Sequence, residues 1–205
     1  MQRYLQSCKT EFWKKVFKAE ADYVLQELKA AKDVLSVGCG PAIIEAALSE
    51  HGFDVTGLDI SKEALDQAPD SIRKVAGSAE NMDFADSSFD AVIYVASLQF
   101  IEEYRQAIKE TARVLRPGGK LLAMLLNPKS QFYRQKAKNA SSYISKIKHP
   151  HLARIQATIA QYFSVWTEYF LGINGKQIFQ TQNPDLAALY VIKGTKKDSM
   201  QGKAT

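Results

Sequence analysis

A chain of 205 residues fits one domain with room for a small insertion. Apolar residues make up 46% of it, enough for a full core, yet no apolar run approaches the ~18 residues of a membrane span. The net charge of +5 suits anionic partners, and two cysteines with three scattered histidines give no metal-ligand spacing.

The N-terminus, M-Q-R-Y-L-Q-S-C, lacks an apolar signal segment, and Cys8 and Cys39 are expected to be reduced thiols in a cytoplasmic protein. Residues 11–30 have the spacing of an amphipathic helix, with Phe12, Val16, Phe17, Val24 and Leu28 inward and Lys14, Lys15 and Lys18 outward. Val34, Leu35 and Val37 make a short buried strand. Gly38 and Gly40 allow a tight turn that a ligand can approach closely. Pro41 is expected at the first helical position, Ile43, Ile44, Ala47 and Leu48 form the helix's apolar face, and Gly52 ends it. Phe53, Val55 and Leu58 form a second strand with Asp59 at its carboxyl end. This β-α-β unit with a glycine turn and an acid about 20 residues on is how a nucleoside is held: main-chain N–H groups face one part and a carboxylate takes the ribose hydroxyls. A dinucleotide fingerprint would place a third glycine at position 43, where Ile43 stands, so a nicotinamide cofactor is disfavoured.

Ser61 caps a helix over 62–67, and 72–76 form a third strand ending at Gly77, Ser78, Ala79 and Glu80. A fourth strand spans 90–96, a helix 101–115 and, after the Pro117-Gly118-Gly119 turn, a fifth strand 120–126. Residues 127–164 break the alternation. They carry seven cations (Lys129, Arg134, Lys136, Lys138, Lys146, Lys148, Arg154) and no acid, with helix interrupted near Pro150. A strand over 166–173, a turn at Asn174-Gly175, a strand over 176–180 and a last strand over 186–193 complete the chain before a polar tail. The pattern by itself gives a doubly wound α/β fold.

Five local motifs go further: V-L-S-V-G-C-G-P-A at 34–42, V-T-G-L-D-I-S at 55–61, G-S-A-E-N-M-D-F at 77–84, S-F-D-A-V-I at 88–93 and V-L-R-P-G-G-K-L at 114–121. In this order they closely resemble the motifs of class I S-adenosylmethionine-dependent methyltransferases, above all the small-molecule members related to ubiquinone and menaquinone methyltransferases. The resemblance implies a Rossmann-like, doubly wound, seven-stranded sheet, mostly parallel with an antiparallel last strand, in one domain over 1–205. It implies a helical cover at 1–30, with Tyr4, Phe12 and Trp13 as candidates for the pocket wall, and a basic helical insertion or lid at 127–164. The implied cofactor is S-adenosyl-L-methionine, held by Gly38, Cys39, Gly40, Asp59, Ile60, Ser78, Ala79, Glu80 and Val95, with main chain near Ala96 also facing it.

The chain departs from that pattern at two places. Ser36 stands where relatives carry an acid that fixes the cofactor's amino end, and Glu45 is the candidate substitute. Ala42 replaces a third glycine, which is expected to be a mild change, since a helix start there should need no positive φ. Ala96-Ser97-Leu98-Gln99-Phe100 lacks the prolines of base-amine methylases, which disfavours that chemistry. Ser97 or Gln99 is a candidate for orienting an acceptor. His149 and His151 are candidate bases if the insertion folds over the pocket, and exposed loop histidines otherwise; His51 lies far from the expected mouth. No catalytic residue is assigned. The seven cations suit an acidic small molecule if they form a lid, nucleic-acid phosphates if they form an exposed face, or plain solvation. A small-molecule methyltransferase is the leading reading. A methyltransferase acting on RNA or protein, and a non-catalytic nucleoside-binding module prompted by Ser36, stay open.

Overall fold

The computed structural model describes residues 10–197. Tyr4, Cys8 and the polar tail beyond 197 lie outside the described residues.

Helix α1 (Glu11–Glu27) starts at Thr10, whose hydroxyl accepts from the Trp13 N–H. Then follow β1 (Asp33–Val37), α2 (Ile43–Glu50), β2 (Asp54–Asp59), the single turn α3 (Lys62–Leu65) capped by Ser61, β3 (Arg73–Ala76) and β4 (Phe89–Val95). A short 3₁₀ turn (Leu98–Phe100) leads to α4 (Tyr104–Val114) and β5 (Leu115–Leu126). Helix α5 (Gln131–Ala137), a second 3₁₀ turn (Tyr143–Lys146), α6 (Leu152–Tyr162), β6 (Phe163–Asn174), β7 (Gln177–Phe179) and β8 (Ala187–Lys196) complete the chain.

The strands form one sheet in the order β3-β2-β1-β4-β5-β8-β6-β7. The first five run parallel, and β8 pairs antiparallel with both β5 and β6. The sheet therefore has eight strands rather than seven. The extra one is β7, which folds back on β6 through Gly175-Lys176, one residue later than the expected Asn174-Gly175 turn, with Gly175 at φ +58°.

Period-two alternation splits the sheet's side chains between two cores. Val34, Ile93 and Leu122 face α1 and α2, meeting Val16, Val24, Leu28, Ile44 and Leu48. Leu35, Val92 and Leu121 face α4 and α6, meeting Tyr104, Ile108, Ile155 and Ile159. The basic stretch after β5 is divided the same way. Phe132 of α5 and Ile144 join the α1 side, whereas α6, beginning just past Pro150, packs on the opposite face.

Charge pairs secure the amino edge. Arg116 bonds Asp33 at 2.8 Å and also Asp90, which accepts the Lys32 and Asp33 N–H groups. Arg113 bonds Glu110 and Asp86 and the carbonyls of Met82 and Phe84, closing the loop before β4. The carboxyl edge is left for a ligand. Among the described residues no helix is long and apolar enough to cross a membrane.

Candidate functional site

The turn between β1 and α2 is closed by its own hydrogen bonds. The N–H groups of Gly38 and Cys39 donate to the Leu58 carbonyl at 2.7 and 3.4 Å, Gly40 donates to Asp59 Oδ2 at 2.8 Å, and Ala42 donates to the Cys39 carbonyl. Pro41 has no N–H to place. Main-chain donors facing a ligand were expected here, but from 38 to 42 they are all satisfied inside the protein. A pyrophosphate cradle needs such donors free. Pro41 precedes α2 by two residues rather than opening it, and the N-cap is Ala42. Ala42 has φ +56° and ψ +45°, so this position does require the left-handed conformation, which explains a preference for glycine.

Gly38 (φ +72°) marks the closest approach of β1 to the segment after β4. A Cβ there would lie 2.6 Å from Ser97 Cβ, and the Ser97 hydroxyl donates to the Val37 carbonyl at 2.6 Å. Gly38→Ala combines left-handed strain with overpacking, and thermal unfolding should show a loss of about 2–3 kcal/mol.

The carboxyl edge opens into a cavity of ≈ 1690 Å³. Gly38, Cys39, Gly40, Asp59, Ile60, Ser78, Ala79, Glu80 and Val95 all line it, as does Ala96. Asp59 Oδ1 accepts the Ser61 N–H at 2.8 Å while Oδ2 holds Gly40, so the carboxylate staples turn to strand and each oxygen keeps a lone pair. Ser78 Oγ accepts the Glu80 N–H at 3.1 Å, and Glu80 accepts the Glu103 N–H at 3.0 Å. Ile60 stands 82% exposed at the rim. The rest of the wall comes from α1 (Trp13, Val16, Phe17, Glu20), α5 (Phe132, Lys136), the Tyr143–Lys146 turn and the ends of β5, β6 and β8 (Leu126, Leu171, Ala188).

Two acids in that wall are buried. Glu45 is 3% exposed, and the Ser36 hydroxyl donates to its carboxylate at 2.5 Å. Glu45 of α2 thus stands one hydrogen bond from Ser36, the position where the resemblance implied an acid. Burial holds the Glu45 carboxyl above its ordinary range. Glu20 of α1 is 6% exposed, and burial, reinforced by Glu45, pushes its carboxyl up to about 8. Burial and the Glu45 and Asp59 carboxylates keep the half-buried Cys39 thiol far above its usual value. Glu20 escapes a reading by composition alone. The available pointer is an acid inside the apolar face formed by Trp13, Val16 and Phe17 at helical spacing.

Other candidates lie elsewhere. Trp13 lines the cavity, but Phe12 packs edge-on against it at 5.3 Å and is not in the wall. Gln99 is fully buried and clamps Leu126, accepting its N–H at 2.7 Å and donating to its carbonyl at 3.2 Å. It ties the strand ends together and faces no acceptor. His149 leans on Tyr104 and meets the Glu102 carbonyl at 2.9 Å, while His151 is exposed before α6; neither lines the cavity. His51 sits at the end of α2 against the Ala47 carbonyl. Of the seven cations, Lys136, Lys146 and Lys148 line the cavity, and Lys148 pairs with Glu102.

Residues 35–123 match a family described as a methyltransferase domain. A demethylmenaquinone methyltransferase of Corynebacterium glutamicum is 36% identical over 96 residues, covering 46% of this chain and 42% of that protein. A ubiquinone biosynthesis O-methyltransferase of Coxiella burnetii is 29% identical over 119 residues, covering 54% and 51%. Over residues 35–123 this chain is similar to methyltransferases. It spans about half the length of these curated relatives or less. The fold is shared with a solved Thermotoga maritima structure described as an S-adenosylmethionine-dependent methyltransferase, possible histamine N-methyltransferase, at TM-score 0.73 and 20% identity, covering 95% of this chain and 97% of that one. The site fits S-adenosylmethionine, the cofactor that the likeness to methyltransferases implies. The cavity is larger than the ~300–1,000 Å³ of a single drug-sized ligand, Asp59 keeps lone pairs for hydroxyls, and a buried acid stands beside the glycine turn.

Proposed function

We propose that this chain transfers a methyl group from S-adenosylmethionine to a small acceptor with an apolar body. The observation that carries this is the size and mixed lining of the carboxyl-edge cavity: the residues expected to hold the cofactor share it with aromatic and aliphatic side chains of α1, α5 and the sheet ends. Asp59 accepts from the ribose hydroxyls, Ser78, Ala79 and Glu80 lie beside the adenine, Ile60 covers the ring at the rim, and Gly38, Cys39, Gly40 and Val95 run along the ribose and methionyl portion. Ser36 and Glu45 take the place of the usual single acid, which removes the reason to read the domain as non-catalytic. S-adenosylmethionine supplies an electrophilic methyl group on a sulfonium; the protein's share is alignment and exclusion of water.

Trp13, Phe17, Phe132 and Leu171 form the acceptor wall, and Lys136, Lys146 and Lys148 give its rim a positive edge that suits an acidic group on the acceptor. The first half of the 127–164 stretch thus acts as the lid, and α6 as sheet packing. The names of the two relatives, on demethylmenaquinone and in ubiquinone biosynthesis, agree with an apolar acceptor. Calorimetry tests the cofactor: S-adenosylmethionine and S-adenosylhomocysteine should bind and NAD should not. Tighter binding of NAD overturns the proposal. Labelled methyl transfer into extract fractions should then mark a small molecule, whereas label in RNA or protein would shift the acceptor class.

A further inference from the structure

Glu20 on α1 and Glu45 on α2 meet the cavity from two separate helices. Glu45 has the Ser36 hydroxyl, but Glu20 has no hydrogen-bond partner among the described residues, although it is more than nine-tenths buried. No fully enclosed side-chain oxygen or nitrogen lacks a partner among the described residues, so the Glu20 oxygens open onto the cavity. The charged and titratable groups facing the two acids are of one kind. Tyr143 looks at Glu20 from the 3₁₀ turn, and Asp59 and Cys39 look at Glu45. The β7 residues beside α1, Gln177, Ile178 and Phe179, carry no charge. The lysines of the rim are exposed and act on neither acid.

Two carboxylates buried together without a cation cannot both ionise, because each desolvates and repels the other. A cation brought by a ligand reverses that balance. We propose that Glu20 and Glu45 form a proton-sharing pair that receives the cofactor's α-ammonium and releases a proton as it does so. The inference rests on the cofactor reading above and adds a charge coupling to it. The balance is simple: one carboxylic O–H breaks, its proton goes to solvent, and the ammonium N–H groups bond the carboxylate left behind. The raised position of the Glu20 carboxyl, at about 8, means that the proton is present at neutral pH. Donor affinity therefore rises with pH.

The test is calorimetry at pH 7 in two buffers of different ionisation enthalpy, with S-adenosylhomocysteine and methylthioadenosine as probes; the second keeps the nucleoside and lacks the ammonium. Wild-type protein should release close to one proton per S-adenosylhomocysteine and none with methylthioadenosine. S-adenosylhomocysteine affinity should rise nearly tenfold per pH unit between pH 6 and 8, up to about pH 8. Glu20→Gln should bind S-adenosylhomocysteine with no proton release and less than a twofold change per unit. Equal proton release with both nucleosides, no release at all, or unchanged release in Glu20→Gln overturns the inference while leaving the cofactor reading intact. Failure of wild-type protein to bind S-adenosylhomocysteine removes both. If Glu20→Gln does not fold, the wild-type comparison of the two nucleosides decides alone.

Discussion

Asp59→Ala should weaken S-adenosylhomocysteine binding by about 1–3 kcal/mol, a loss of roughly five- to 150-fold, because ribose hydroxyls lose a charged acceptor. The same change should lower the stability of the free protein by about 2 kcal/mol. Its carboxylate holds the N–H groups of Gly40 and Ser61, both at 2.8 Å, and these have no other partner in the turn. The two effects are separable by pairing calorimetry with thermal unfolding. Asp59→Asn keeps the shape but turns one amide hydrogen toward a backbone donor, so it should lose about half of each effect. A variant that loses stability yet binds S-adenosylhomocysteine as tightly as wild type would make Asp59 a turn staple with no part in the ribose site.

Glu20→Gln should stabilise the free protein in a pH-dependent way. In the folded chain the Glu20 carboxyl titrates near 8, against an ordinary value of 4.5. Between these values the folded state keeps a proton that the unfolded chain has lost, so wild-type stability falls as pH rises, by at most about 1.4 kcal/mol per unit. The variant has no such slope. The two proteins should unfold alike near pH 4.5, and by pH 8 the variant should lead by up to about 5 kcal/mol, then hold that lead. In a domain of this size each kilocalorie is worth about 2–4 °C. Melting curves from pH 4.5 to 9 suffice, and a difference that stays constant over that range would show that Glu20 is not a buried titrating acid. Saturating S-adenosylhomocysteine should shrink the difference, since a bound ammonium supplies the missing counter-charge.

The effects differ in origin. Asp59 acts through hydrogen bonds that are local in sequence, reaching 19 residues to Gly40 and two to Ser61. Glu20 acts through the absence of a partner, which only the packed structure reveals.

The same distinction governs what the sequence by itself determined. Strand and helix periods, the Gly38–Gly40 turn, the acid after β2 and the order of five motifs are written in neighbouring residues, because backbone sterics and hydrophobic alternation are short-range. They were enough for the doubly wound sheet, the methyltransferase likeness of residues 35–123 and the set of residues around one cavity. Tertiary structure decided what each side chain meets. It closed the N–H groups of the turn onto Leu58 and Asp59, forced Ala42 into a left-handed conformation, and buried Gln99 as a clamp on Leu126. It kept His149 and His151 out of the cavity, and split the basic stretch between the two faces of the sheet. It also brought Glu20, Ser36 and Glu45 together from α1, β1 and α2. No local pattern encodes such a meeting, since desolvation and charge coupling depend on which elements pack across a shared space.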